Sequence, residues 1–220
     1  HPPFYHVLVK ISTLFAINEW TVRISSVILG IIAIYLIYIF VRKIFNSKIA
    51  IIASFLAAIS PYLIYPAQEA RMYSLFLLFS LLSFYFFYLL MSGKDNKTSR
   101  AKWYFAGYIV ATVCCIYTHY LGFIVLGSQI VYLIFNKDQY KKIKFWLLSY
   151  LAIFVLFIPQ ISTMVTQFQA RLAEKSHTVS ILANIKGLIG AFFRFGAGRL
   201  FLDITPVSYT HLTLPTNWTV

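Results

Sequence analysis

The side chains best suited to chemistry fall in a few polar islands between long apolar runs. One is Gln68-Glu69-Ala70-Arg71-Met72-Tyr73, set between the runs Ile49 to Tyr65 and Met72 to Met91. A second, Tyr117-Thr118-His119-Tyr120, separates two further apolar runs, and the chain opens on His1-Pro2-Pro3 with Glu19 and Arg23 ahead of the next run. A carboxylate can act as a general base, while an arginine presents a planar fork that grips phosphate oxygens in pairs. An acid beside an arginine at a membrane boundary therefore suits a lipid phosphate, because ionised groups are costly to keep there without a task in binding or catalysis. Each residue also has a plainer alternative. Arg71 could pair with Glu69 or snorkel to the interface, Arg23 could anchor a helix end, and His119 could be a buried, hydrogen-bonded ring. Tyr117 and Tyr120 could be interfacial aromatics.

The elements that must position these groups follow from composition. Of 220 residues, 60% are hydrophobic, 19% aromatic and 11% charged, and the mean hydropathy is +0.76. That is too little polar side chain to coat a water-soluble globule, so the chain reads as an all-α, polytopic membrane helix bundle. Spans are expected at about 24–41, 49–65, 72–91, 103–117, 121–135 and 145–161. A helix rises ~1.5 Å per residue against a hydrocarbon core of ~30 Å, so the longer runs can cross. The runs around 103–117 and 121–135 either continue through their polar flanks or have their shared tip below the surface. Residues 188–202, which include Arg194 and Arg199, read as a span, a re-entrant piece or a surface helix.

The net charge of +13 would suggest nucleic acid in a soluble protein, but its distribution points elsewhere. Arg42, Lys43 and Lys48 fall in one loop, Lys94, Lys97, Arg100 and Lys102 in another, and Lys137, Lys141, Lys142 and Lys144 in a third. These are alternate loops, and basic residues accumulate on the cytoplasmic side. The charge is thus topogenic and no nucleic-acid partner is expected. The opposite segments face outward: the stretch to Arg23, the island at 68–73, the island at 117–120 and everything after about Ser162. All three polar islands then share the extracytoplasmic face.

Both ends of the sequence invite a reading. The chain does not begin with Met, nothing between His1 and Trp20 has the form of a signal peptide, and an upstream anchor or span is expected. Phe4, Val7, Leu8, Ile11, Leu14 and Phe15 recur at helical spacing with His6, Lys10 and Thr13 between them, which predicts an amphipathic interfacial helix over about 4–18. A partial membrane domain over 1–203 is expected. The segment 204–220 resembles translated sequencing-adaptor read-through and is set apart from the functional reading. Cys114 and Cys115 are adjacent within an apolar run, which disfavours a disulfide between them and suits small packing residues. Asn96-Lys97-Thr98 has the form of a glycosylation sequon in a loop assigned to the cytoplasm, and is discounted.

Taken in order, several of these residues carry a family resemblance. His1-Pro2-Pro3-Phe4, Glu19 with Arg23 and Ser26, Ser60-Pro61, then Gln68 to Tyr73, Tyr117 to Gly122 and Gln129 together resemble the bacterial family 39 glycosyltransferases. These are relatives of protein O-mannosyltransferases and of the enzyme that adds aminoarabinose to lipid A. The resemblance runs from His1 to about Ile161. It implies a GT-C type membrane fold, in the bacterial inner membrane, with an extracytoplasmic active face. The implied activity is hexosyl or pentosyl transfer with inversion, from a polyprenyl-phosphate sugar to a hydroxyl on a protein, lipid or glycan. The family's catalytic aspartate precedes the His-Pro-Pro motif, so its place falls before His1 and residues 1–220 alone are expected to be inactive. For the rest, the resemblance implies that Arg71, Arg23, Glu69, His1 and His119 surround the donor phosphate and sugar, supported by Glu19, Gln68, Tyr73 and Tyr120. No cofactor is required by it; a divalent metal held by Glu69 and His119 stays open, as metal use varies across the fold. The competing reading is a multi-span transporter or flippase for an anionic or lipid-linked substrate, in which intramembrane charges mark a path. A structural or assembly subunit is the third.

Overall fold

The computed structural model describes Lys10 and residues 19–68, 72–92 and 100–174. The chain divides into two compact units, residues 1–178 and 179–220; the second lies outside the described residues, as do the interfacial helix expected over 4–18 (Lys10 apart) and the run 188–202. Among the described residues the structure is α-helical, joined by turns and one 3₁₀ segment, without a strand. The helices are α1 (Glu19–Ile44), α2 (Ser47–Ile59), α3 (Pro61–Gln68), α4 (Tyr73–Ser92), α5 (Arg100–Thr118), α6 (Gly122–Phe135) and α7 (Ile143–Glu174), with the 3₁₀ segment Lys137–Lys142 before α7. Among the described residues three stretches are long and apolar enough to cross a membrane, Arg23–Ile44, Tyr73–Ser92 and Ile143–Ala170. The expected all-α membrane helix bundle is what forms.

Local chemistry sets the breaks. Asn46 caps α2, its side chain accepting from the Ile49 N–H at 3.0 Å, which satisfies one of the orphan donors of a helix start. The apolar run 49–65 looks continuous in sequence but is two helices. Pro61 pushes Ser60 out of the helical region, to φ −69° and ψ 121°, and then opens α3 at the position where a missing N–H is harmless. The sixth run, expected to end near Ile161, continues as α7 to Glu174 with Pro159 inside it.

Side-chain contacts give the register of the bundle. Phe76 meets His119, Ser80 meets Cys115 and Ser83 meets Thr112, so α4 and α5 run antiparallel. Phe105 with Phe145, Tyr108 with Trp146 and Tyr117 with Leu156 make α5 and α7 parallel. Ser83 with Gln129 and Phe87 with Tyr132 do the same for α4 and α6. α1 lies parallel to α4 through Phe40 with Tyr85 and the Tyr88 hydroxyl on the Lys43 carbonyl, and it returns through α2 and α3, a Cβ at Gly30 lying 3.6 Å from Ala67. With α2 and α3 together forming one return leg, successive legs therefore alternate in direction. One end holds the start of α1, the end of α3 at Gln68, the start of α4 at Tyr73 and the α5–α6 turn; the other holds the turns carrying Arg42, Lys43, Lys48, Arg100, Lys102, Asp138, Lys142 and Lys144.

The packing is apolar outside and partly polar inside. Ile51, Ile52, Phe55, Ile124, Val131, Leu147, Leu151 and Phe154 are all exposed, as lipid-facing positions are, whereas Ser26, Ser83, Thr112, Gln129, Ser149 and Gln160 are buried. The main core cluster gathers Phe87, Tyr108, Ile116, Leu133, Trp146, Ile153 and Phe157 from four helices. Beside it runs a closed circuit of hydrogen bonds. Tyr108 donates to Gln129 Oε1 at 2.8 Å, and Gln129 Nε2 donates to Ser83 Oγ at 2.9 Å. Ser83 and Thr112 hydroxyls meet at 2.8 Å, and Thr112 donates to the Tyr108 carbonyl at 2.7 Å. Since the Thr112 proton is committed to that carbonyl, Ser83 must donate to Thr112, and the ring closes with each hydroxyl donating once.

Candidate functional site

The turn between α5 and α6 is built from the polar island Tyr117 to Tyr120. His119 N–H reaches the Cys115 carbonyl at 3.0 Å as the last helical bond of α5, and Gly122 N–H turns back to the His119 carbonyl at 2.9 Å. Gly122 is required by the tightness of this return: a Cβ there would lie 2.8 Å from the Ile116 nitrogen and 2.9 Å from its Cα. The His119 ring is fixed from within the turn, its Nδ1 accepting the Leu121 N–H at 3.1 Å. That pattern assigns the ring proton to Nε2, so His119 presents an N–H donor from its far edge. No cluster of three His, Cys, Asp or Glu side chains able to hold a metal occurs among the described residues, and Glu69 lies outside them.

Around the turn the structure collects side chains from α4 and α7. The His119 ring lies 6.1 Å from that of Tyr73 and 5.6 Å from that of Phe76, at the first turn of α4. Tyr73 is the last residue of the first polar island, so the second island meets the first at that residue. On the other flank Tyr117 donates to the Leu156 carbonyl at 2.8 Å, and Tyr120 donates to Gln167 Oε1 at 3.2 Å. Pro159 has no N–H to close the bond back to the Val155 carbonyl, one residue before the Leu156 carbonyl that accepts from Tyr117.

Of the residues expected at the site, Tyr73, His119 and Tyr120 are thus brought to one place. Arg23 is exposed on the first turns of α1, at the same end of the bundle. Seven residues separate it from Gly30, which packs on Ala67, so at 1.5 Å per residue it lies about 10 Å further along the axis than that contact. His1, Glu69 and Arg71 lie outside the described residues, as do the side chains of Glu19 and Gln68. Gln129, part of the motif order, is not at this end at all; it belongs to the mid-bundle ring. Two residues that motif reading missed are Gln160 and Gln167. The available signal was their spacing with Ile153, Phe157 and Met164, which continues the buried stripe of α7 past the expected end of the span. A shallow depression lined by Tyr132, Phe135, Asn136 and Asp138 lies at the opposite end, away from these groups.

A family model described as dolichyl-phosphate-mannose-protein mannosyltransferase matches residues 1–162. No curated protein and no solved structure matches the chain.

Proposed function

Since the chain belongs to the dolichyl-phosphate-mannose-protein mannosyltransferase family, and is a membrane glycosyltransferase of the GT-C type, we propose that it moves a sugar from a polyprenyl-phosphate carrier to a hydroxyl acceptor. The acceptor is a protein, lipid or glycan on the extracytoplasmic face of a bacterial inner membrane. The observation that supports this reading is the meeting of Tyr73 with His119, one residue from each polar island, at the end of the bundle opposite the basic turns. Basic turns favour the cytoplasmic side, so the islands face outward, where a flipped lipid-linked sugar presents its head group.

In this mechanism a carboxylate takes the proton of the acceptor hydroxyl. The oxygen attacks the anomeric carbon from the side opposite the phosphate, and the carbon–oxygen bond to the phosphate breaks with inversion. The phosphate leaves with the electron pair. Arg71, with Arg23, offsets the charge that develops on it, and a preorganised guanidinium is most effective in a partly dehydrated site. Glu69 orients Arg71. His119, whose Nδ1 is occupied by its own turn, offers Nε2–H to an oxygen of the donor. Glu19, Gln68, Tyr73, Tyr120 and His1 shape the surroundings.

The test compares wild type with Arg71→Ala, as intact proteins at matched levels in membranes supplied with a labelled polyprenyl-phosphate sugar. Removing the guanidinium should lower transfer by about 100-fold or more. Equal transfer by both proteins would displace the phosphate from Arg71. A wild type that neither transfers nor hydrolyses across a panel of carriers would overturn the transferase reading.

A further inference from the structure

Gln160 is buried at 4% exposure, and its Nε2 has no hydrogen-bond partner among the described residues. A buried donor left unpaired is destabilising, and native proteins keep few of them without a reason. This bundle pairs its mid-membrane polar groups with care, as the Tyr108–Gln129–Ser83–Thr112 circuit shows. Three other buried polar atoms lack a partner among the described residues: Gln139 Oε1, Trp146 Nε1 and Tyr150 Oη. Gln139 lies in the 3₁₀ segment at the basic end, and Trp146 and Tyr150 belong to the aromatic cluster, where ring faces offer an indole N–H a weak partner. Of the four, Gln160 is the one at the end that holds His119.

Its position there is bracketed by two tethers. Tyr117 ties the α5–α6 turn to α7 at Leu156, one helical turn before Gln160, and Tyr120 ties it at Gln167, two turns after. Gln160 and Gln167 are seven apart and share one face of α7, so the buried stripe that is apolar through Ile153 and Phe157 becomes amide-bearing where it passes the candidate site.

We propose that the Gln160 carboxamide binds a hydroxyl of the sugar being transferred and so contributes to sugar selectivity, an inference that rests on the polyprenyl-phosphate transferase reading above. A carboxamide both donates and accepts, which matches a hydroxyl that does the same. A phosphate offers acceptors alone, and its charge is better met by arginine than by a neutral amide. Without a partner among the described residues, the Nε2–H is completed by the ligand.

The experiment measures binding of two carriers to the intact protein in membranes, a polyprenyl-phosphate sugar and the same polyprenyl phosphate without sugar, for wild type, Gln160→Leu and Gln160→Met. Both variants should bind the sugarless carrier as wild type does, bind the sugar-bearing one about tenfold more weakly, and melt no lower than wild type. One deoxygenated sugar should lose the same tenfold with wild type and lose nothing further with the variants. Equal weakening for both carriers, unchanged sugar binding, or a lowered melting temperature in both variants would overturn the proposal, the last by making Gln160 a structural partner. If wild type transfers sugar and the variants match it in binding, this proposal falls and the transferase reading stands. If wild type neither binds nor transfers any carrier-linked sugar, both fall together.

Discussion

Two glutamines and a histidine illustrate how residue type and residue role part company. Gln129 and His119 both sit among the motif residues, yet Gln129 closes a buried hydrogen-bond circuit between α4, α5 and α6 while His119 lies at the turn beside Tyr73. Replacing Gln129 by Leu strands the Tyr108 hydroxyl and removes the donor to Ser83. Because interhelical hydrogen bonds in membrane proteins are individually modest, the expected loss is about 1–2 kcal/mol of stability. Ser83→Ala added to Gln129→Leu should cost less than the sum of the two single changes, since both break the same circuit. Thermal unfolding in detergent of the singles and the double checks this; additive losses would show that the circuit does not act as a unit. Gln160, by contrast, is expected to tolerate an apolar replacement, and only the ligand should notice.

At the scale of elements, the α5–α6 hairpin decides whether the site exists. Its second helix, α6, has 14 residues, fewer than a membrane span needs, while α5 has 19, and the sequence leaves open whether the tip is a surface loop or a recessed turn. The structure makes it a tight return in which Gly122 touches the backbone of Ile116. Gly122→Ala must therefore open the hairpin, at a cost of about 1–3 kcal/mol, and should lower transfer because His119 sits three residues before it. Gly127 is the internal control: a Cβ there meets nothing within 4 Å, and alanine is the better helix former by about 1 kcal/mol. Gly127→Ala should leave melting temperature and transfer at or above wild type. Loss in both variants would place the sensitivity in α6 generally and not in the turn. Pro61 and Pro159 act at the same scale, one dividing a run that looks like a single span, the other leaving α7 one N–H short beside the carbonyl that Tyr117 reaches.

For the whole molecule, the alternation of helix directions makes orientation a single binary question. In a Cys114→Ala, Cys115→Ala background, a membrane-impermeant thiol reagent added to intact cells should label Leu121→Cys, whereas Asn46→Cys should react only after permeabilisation; both positions are exposed in the structure or border its turns. The reverse pattern would put the candidate site in the cytoplasm. Much of this level was legible in sequence. Composition alone excludes a water-soluble fold, the apolar runs mark the helices, and the alternation of basic turns with polar islands sorts the loops into two sets, because hydropathy and charge act on each segment separately. Even the motif order that points to the family is a property of the line of residues. Depth and pairing are not. Sequence could not tell that Gln129 turns inward to Tyr108 and Ser83, that Tyr73 meets His119, or that Gln160 is buried between two tethers with its Nε2 unpaired among the described residues. Those outcomes depend on the rotation of each helix about its axis and its offset against its neighbours. These are set by packing between residues tens of positions apart, on which local periodicity carries no information.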